Sequence, residues 1–243
     1  MRAFRLFKFG VAATLSHSGV AFVSCAAFGG FIGLTSAVVY GQEHAIQQAV
    51  GPDQWKAMLV FAGIQLLAQL LATIAIGPVF QASAAYAAFR HSRRKPGSVR
   101  HGLNFALARY GRMFKPHLKA WLMILLGLQL LIPGIIYWNQ LALVDSVTVF
   151  EKSKRPLARS RQLTKGYRRS IFLLALPWFL YGIPAIVIEP TVAGISPLLM
   201  VGYHIALSLY LFVMFAGYSR LYLERTGQDV ERSEELVEST EAS

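Results

Sequence analysis

The uncharged stretch at residues 9–42, FGVAATLSHSGVAFVSCAAFGGFIGLTSAVVYGQ, contains no Asp, Glu, Lys or Arg. A helix rises about 1.5 Å per residue, so this stretch is long enough to cross roughly 30 Å of bilayer hydrocarbon. The stretch follows Arg2, Arg5 and Lys8, and basic residues also stand before the apolar core of a secretory signal. Its length, however, exceeds that of such a core. The stretch therefore predicts a transmembrane helix near the N-terminus.

The composition of the whole chain agrees with that prediction. Hydrophobic residues make up 55% of the 243 residues and charged residues 15%, which is more apolar than one water-soluble core requires. The net charge is +12, but Lys and Arg stand in short blocks between long uncharged runs, which argues against a nucleic-acid partner. Cys25 is the single cysteine, so the sequence contains no disulfide pair and no paired-cysteine metal motif.

Three further apolar stretches follow, at residues 57–89, 120–150 and 170–219. The last contains Glu189, and the prolines and glycine that follow it are residues that break or cap helices. They predict a loop that divides this stretch into two helices, and hence at least five membrane crossings. The loop residues are Pro190, Gly194, Ser196 and Pro197.

Whether the chain crosses the membrane five or six times depends on whether the stretch at residues 120–150 crosses it once or twice. Basic blocks at residues 90–119 and 152–169 flank it, and short loops rich in Lys and Arg stay in the cytoplasm. Both flanks are then inside, which requires a hairpin with its turn near Pro133-Gly134. Each arm has about 15 residues and spans roughly 22 Å, so the hairpin is thin, and a single kinked helix remains the alternative.

The sequence thus predicts an all-α, polytopic transmembrane helix bundle with six crossings arranged as three hairpins. This transmembrane helical domain covers residues 1–223. Residues 224–243 are rich in Glu, Ser and Thr and are expected to form an acidic, disordered cytoplasmic tail. The predicted location is the bacterial inner membrane, with both termini in the cytoplasm.

Each basic block also contains an amphipathic pattern, which predicts two basic helices at the membrane interface. Ser98 is a plausible cap for the first helix and Pro156 suits the first turn of the second. The residues expected on the apolar face of the first helix are Val99, Leu103, Ala106, Leu107, Tyr110, Met113 and Phe114, whereas Arg100, Asn104, Arg109 and Arg112 are expected largely elsewhere.

Small residues in the first predicted helix indicate close helix packing. Gly29 and Gly33 are spaced one turn apart, with Ala26 and Gly30 beside them. Such small-xxx-small spacing lets helix backbones approach closely, which explains these glycines without a ligand.

A family resemblance rests on several short elements in the second half of the chain. They are IPGIIY at residues 132–137, LVD at residues 143–145, Phe150-Glu151, and PLARSRQLTKG at residues 156–166. Together they resemble the glycerophosphoryl diester phosphodiesterase membrane-domain family, a bacterial group of multi-pass proteins. The resemblance implies membrane-domain architecture. It implies no phosphodiesterase activity, because the enzymatic members carry a separate soluble barrel domain for which this chain has no polar segment.

The motif at residues 151–166 has two interpretations. In the first it docks a short helix against the bundle, with Glu151 paired to Arg155 one turn on and a glycine at the helix end. In the second its clustered Arg side chains and hydroxyls bind an anionic lipid headgroup. The candidate residues are Glu151, Arg159, Ser160, Arg161, Leu163, Thr164 and Gly166.

Asp145 is the strongest polar candidate within the apolar stretches. Intramembrane ionisable residues are functional suspects because their burial is costly. A structural pair with a neighbouring Arg is the favoured interpretation of Asp145, and a transport site is the alternative.

Recognisable catalytic motifs are absent from the sequence. No metalloprotease, serine hydrolase or nucleotide-binding motif occurs, and seven of the twelve acidic residues stand at or after Glu224. We therefore expect no catalytic residues, no metal and no cofactor, and hence no enzyme.

Two functions remain open. The first is a non-catalytic integral membrane protein that binds membrane lipids, including anionic ones, or protein partners or further copies of itself through a basic cytoplasmic face. The second is a small transporter or lipid-translocating protein built on broken helices around Asp145. A continuous polar cavity that reaches Asp145 would favour transport, whereas a dry, fully packed bundle would favour the first function.

Overall fold

The computed structural model describes residues 2–47 and 54–227, which form α-helices joined by short turns, with no strand among them. The predicted all-α class is confirmed for these residues. Asp53 and most of the predicted acidic tail lie outside them. The helices are α1 (Arg2–Ser16), α2 (Ser18–Gln47), α3 (Gln54–Ala75), α4 (Gly77–Ser92), α5 (Val99–Leu128), α6 (Ile132–Leu141), α7 (Val144–Phe150), α8 (Pro156–Thr164), α9 (Arg168–Ile195) and α10 (Pro197–Arg225).

Among the described residues, two helices are long and apolar enough to cross a membrane. They are α2, over Ser18–Gln42, and α10, and a third candidate is the pair α3 and α4, which is bent by 48° at Ile76. Large apolar side chains also face outward, among them Leu66, Leu126 and Leu198 with exposed fractions of 64%, 66% and 82%. Such apolar surface is compatible with membrane insertion and indicates a membrane protein.

Helix α10 packs against α1 and α2, which run antiparallel to it one after the other. Gly217 of α10 lies beside Leu6, and the carbonyl of His204 lies beside Gly29. A β-carbon added to Gly29 would lie 2.5 Å from the carbonyl oxygen of His204, and one added to Gly33 would lie 2.6 Å from the Cα of Val201. The predicted close packing at these two glycines is confirmed.

The first apolar stretch forms two helices, not one. Helix α1 ends at Ser16 and α2 begins at Ser18, so the stretch expected to form one helix is divided at His17. Helical hydrogen bonds from the amide of His17 to the carbonyl of Ala13 and from the amide of Ala21 to the carbonyl of His17 nevertheless continue across the junction. The His17 ring is buried at this junction, where a β-carbon on Gly97 would lie 2.5 Å from it. Packing against the α4–α5 connection therefore accompanies a break that the apolar pattern did not predict.

Helices α5 and α6 form an antiparallel hairpin. The chain reverses at residues 129–131. Next to this turn the two helices approach each other so closely that a β-carbon on Gly127 would lie 2.8 Å from the amide nitrogen of Gly134. Trp121 then packs edge-to-face on Trp138, with ring centroids 5.6 Å apart. The predicted turn is thus found beside Pro133-Gly134. Because α6 has only 10 residues, or about 15 Å, the number of crossings stays a prediction.

The first basic block had been expected to form a separate helix, but it does not. Its residues belong to the first half of α5, which continues without interruption into the hairpin. Leu107 of the predicted apolar face is 60% exposed, whereas Arg109, predicted to lie elsewhere, is 4% exposed, with its guanidinium 3.7 Å above the Phe105 ring. Helices α4 and α7 cover this part of α5, as the contacts of Phe105 with Tyr86 and Phe150 illustrate.

The loop predicted at residues 190–197 is much shorter than expected. Helix α9 continues through Pro190 and Gly194 to Ile195, and Ser196 alone separates it from α10. The hydroxyl of Ser196 accepts a hydrogen bond from the amide of Leu198 and caps α10, with an N–O distance of 3.2 Å. Apolar surroundings tolerate proline within helices. Pro190 and Gly194 therefore did not end the helix where the sequence had predicted a loop. Glu189 is therefore helical.

Candidate functional site

The two hydroxyls of the motif anchor α8 to the break between α6 and α7. Ser160 is fully buried and donates a hydrogen bond to the carbonyl of Gln140 at 2.9 Å, while its oxygen accepts one from the amide of Leu143 at 3.3 Å. The Thr164 hydroxyl, also fully buried, reaches the same Gln140 carbonyl at 3.4 Å. These groups satisfy backbone atoms that the break leaves without helical partners. Their hydrogen bonds support the docking interpretation.

Glu151 pairs with Arg159, where Arg155 had been expected. The Nε of Arg159 lies 3.3 Å from both carboxylate oxygens, and the Tyr222 hydroxyl donates a further hydrogen bond at 3.0 Å. Glu151 has an extended backbone after the end of α7, so the helical i,i+4 spacing does not apply to it. The carboxylate therefore links α8 to the end of α10.

The remaining motif residues divide between packing and surface. Leu163 is 4% exposed in the core, and Gly166 has φ +85°, a conformation that favours glycine, just beyond the end of α8. Arg161 is exposed. The structure thus brings most of the motif together as a docked helix, and no hydroxyl of Ser160 or Thr164 is turned outward to bind a phosphate.

Asp145 pairs with His117, whereas an Arg had been expected as its partner. The Nδ1 of His117 lies 2.9 and 3.1 Å from the two carboxylate oxygens, and its Nε2 lies 3.0 Å from the carbonyl oxygen of Thr73. His117 is fully buried and the Asp145 side chain is 13% exposed. Because both ring nitrogens face oxygen acceptors, the imidazolium with the carboxylate is the form that satisfies all of them. This buried pair is neutral overall.

The His117 ring connects the α5–α7 region to the bend between α3 and α4. A β-carbon on Gly77 would lie 3.1 Å from Nε2, so glycine at this position allows the ring to approach the helix. Pro78 follows it and has no amide hydrogen, which weakens the helical hydrogen bonding there. Sequence reasoning missed His117, because no local pattern distinguishes this histidine.

A cavity of about 270 Å³ lies among seven helices, α2 to α6, α9 and α10. A second hollow of about 30 Å³ beside Asp145 shares Gln81, Trp121, Trp138 and Phe215 with it. The wall of the larger cavity is mostly apolar and includes seven aromatic residues. The aromatic residues are Phe28, Phe80, Trp121, Trp138, Trp178, Tyr181 and Phe215, and the polar ones include Gln69, Thr73, Gln81, Glu189, His204 and Ser208.

Glu189 carries the negative charge of this cavity. The Tyr181 hydroxyl donates to one carboxylate oxygen at 3.2 Å and the Tyr40 hydroxyl to the other at 3.4 Å. The Tyr203 hydroxyl in turn contacts that of Tyr181. No Lys, Arg or His among the described side chains forms an ion pair with this carboxylate. Sequence reasoning missed this site because it assigned Glu189 to a loop.

Basic residues from distant parts of the chain meet at one place, which we call the basic end. The guanidinium groups of Arg2 and Arg225 lie 5.0 and 5.2 Å from the centroid of the Tyr167 ring. Arg2 and Arg5 line a hollow of about 130 Å³ together with Tyr167 and Glu224. The start of α1, the α8–α9 connection and the end of α10 therefore lie together.

Among the described residues, no three His, Cys, Asp or Glu side chains are grouped so that they could hold a metal ion. No family model, curated protein or solved structure matches the chain. The resemblance to the glycerophosphoryl diester phosphodiesterase membrane-domain family therefore stays a prediction.

Proposed function

We propose that the protein is a non-catalytic, multi-pass membrane protein that binds anionic lipid headgroups at its basic end. The observation that carries this proposal is the hollow that Arg2 and Arg5 line beside the Tyr167 ring, with the guanidinium of Arg225 against the same ring. Arg side chains at a membrane surface attract anionic lipids by about 1 kcal/mol each. A hollow between them offers room for a phosphate that several guanidinium groups contact at once.

The proposal includes a membrane topology with six crossings in three hairpins. These are α2 with the bent pair α3–α4, the thin hairpin of α5 and α6, and α9 with α10. Contacts within each pair support this arrangement, and the basic end supports a common side for both ends of the described chain. By the positive-inside rule that side is the cytoplasm, in the inner membrane of a bacterium. Membership in the resembled family belongs to the same proposal.

A double substitution tests the lipid site. We expect Arg2→Gln/Arg5→Gln to lower anionic lipid binding about tenfold or more, since two contributions of about 1 kcal/mol are lost. The matched control is Arg94→Gln/Arg100→Gln, which removes the same charge from two exposed residues outside the hollow. Phosphatidylglycerol and cardiolipin that copurify with each protein are quantified by mass spectrometry. Equal lipid retention by the variant and the control would refute the proposal.

A small transporter is the second candidate function. The cavity among the helices has four lining residues in common with the hollow beside Asp145. The presence of an internal cavity favours transport over a dry, fully packed bundle. Solute flux into liposomes that contain wild-type protein or Asp145→Asn tests it, and absence of flux with the wild type would count against transport.

A further inference from the structure

We propose that the aromatic cavity binds a small organic ammonium ion, with Glu189 as its counter-charge and the tryptophan rings as its walls. This proposal goes beyond lipid binding at the basic end and does not depend on it. The cavity and the basic end have no lining residue in common.

The size of the cavity limits the ligand to a small molecule. Its volume of about 270 Å³ is near the lower limit of the roughly 300–1,000 Å³ that is usual for ligand pockets. Residues of seven helices line the space, so a ligand there would be enclosed on most sides. A mostly apolar wall with a few convergent polar groups is the usual composition of a small-molecule site.

The charge of the lining selects a cation. Among the described residues, Glu189 is the only Asp or Glu in the lining, and no Lys or Arg accompanies it. Its described partners are the hydroxyls of Tyr40 and Tyr181, which donate hydrogen bonds without neutralising the carboxylate. Glu189 is half-buried, and a carboxylate held in a low-dielectric region is costly unless a positive charge lies near it. A bound cation would supply that charge.

The aromatic residues specify an organic cation over a bare metal ion. Trp121 and Trp138 form one edge-to-face pair, and Trp178 stacks on Tyr181 with ring centroids 5.9 Å apart. Faces of tryptophan and tyrosine attract ammonium groups, and cages of such rings recognise alkylated ammonium ions. Tyr181 belongs to both parts of the site, because its ring stacks on Trp178 while its hydroxyl binds Glu189.

His204 adds a hydrogen-bonding group to the wall of the cavity. Its side chain is 4% exposed, and its Nε2 atom has no hydrogen-bond partner among the described residues. Nearly all buried polar atoms in proteins are paired, so a buried atom without a partner beside a cavity points to a missing ligand. An ammonium ion that retains one N–H group could donate to this nitrogen.

Tryptophan fluorescence of the purified protein tests the proposal, because three of the four tryptophans line the cavity. The probes are tetramethylammonium and the uncharged molecule tert-butanol, which has a similar size and shape. We expect a saturable change with tetramethylammonium only, and at least tenfold weaker binding by Glu189→Gln. Glu238→Gln is the control, since it removes the same charge from the acidic C-terminal segment.

Further variants and probes are included so that each outcome either supports or contradicts the proposal. If Glu189→Gln does not fold, Trp178→Leu is the second variant, and it should weaken tetramethylammonium binding several-fold. Trimethylammonium, which has one N–H group, should bind more tightly than tetramethylammonium to the wild type but not to His204→Phe. Equal responses to tert-butanol and tetramethylammonium, or unchanged binding by a folded Glu189→Gln, would overturn the proposal. Lipid retention at the basic end is a separate measurement, so failure of one proposal is distinguishable from failure of the other.

Discussion

The α8 motif and the aromatic cavity both contain buried polar groups, but they use them in opposite ways. Around α8, Ser160 and Thr164 bond to the backbone of the α6–α7 break, and Glu151 bonds to Arg159 and Tyr222. In the cavity, Glu189 has hydroxyl partners but no cation among the described side chains, and a nitrogen of His204 has no partner. The paired groups stabilise the fold, whereas the incompletely paired ones are available to a ligand.

The most specific sequence motif, at residues 151–166, therefore serves to pack α8 against the bundle. The cavity best suited to a ligand is lined by residues that belong to no recognised motif. A motif of polar residues can be specific because a helix break needs particular donors and acceptors. Variants that disturb one region but not the other can strengthen or contradict this contrast.

The largest effect is expected at the His117–Asp145 pair, which lies between the two regions. His117→Ala leaves the carboxylate of Asp145 buried without its partner, at a cost of about 3–5 kcal/mol in the free energy of unfolding. The double variant His117→Leu/Asp145→Leu removes both polar groups and should recover most of that loss. Thermal unfolding in detergent measures both. A double variant no more stable than His117→Ala would show that the pair is needed for another reason.

A smaller effect is expected at the helix contact beside the cavity. Gly29→Ala places a methyl group against the backbone of His204 and should destabilise the protein by about 1–3 kcal/mol. Gly30→Ala is the matched control, because a β-carbon on Gly30 meets no atom within 4 Å. Alanine favours a helix over glycine, so this control should be neutral or slightly stabilising. Similar melting temperatures for the two variants would contradict the observed packing of α2 on α10.

The anchor of α8 should contribute next. Ser160→Ala leaves the amide of Leu143 and one acceptor position of Gln140 without this side chain, at a cost of about 1–2 kcal/mol. Binding of tetramethylammonium in the cavity should be unchanged under conditions in which the variant is folded. Wild-type stability of Ser160→Ala, measured by the same unfolding assay, would argue against the docking interpretation.

The smallest expected effect is the difference in the free energy of unfolding between substitutions of the two arginines of the motif. Arg161→Gln should change the free energy of unfolding by less than about 0.5 kcal/mol, because Arg161 is exposed. Arg159→Gln should cost about 1 kcal/mol, since Glu151 loses its ionic partner at a partly buried position. The two variants are compared in one unfolding experiment. An Arg161 effect larger than the Arg159 effect would show that the exposed arginine makes the more important contact.

Local features of the sequence were sufficient to predict several parts of this protein. The length of uncharged runs predicted apolar helices, Pro133-Gly134 indicated the turn of the α5–α6 hairpin, and Gly29 with Gly33 indicated a close helix contact. Each of these properties depends on one short segment or on the absence of charge along it. Neighbouring residues carry that information, so it can be read without knowledge of the fold.

Contacts between distant segments could not be predicted in the same way. His117 meets Asp145 and Thr73 only because α3, α5 and α7 pack together, and Arg109 is buried because α4 and α7 cover α5. Glu189 acquired its place in the cavity wall because α9 continued past the expected loop. Helical periodicity assigns a residue to a face but does not specify which helix covers that face. Burial, ion partners and the cavity therefore followed from tertiary packing, whereas the apolar helices themselves followed from the sequence.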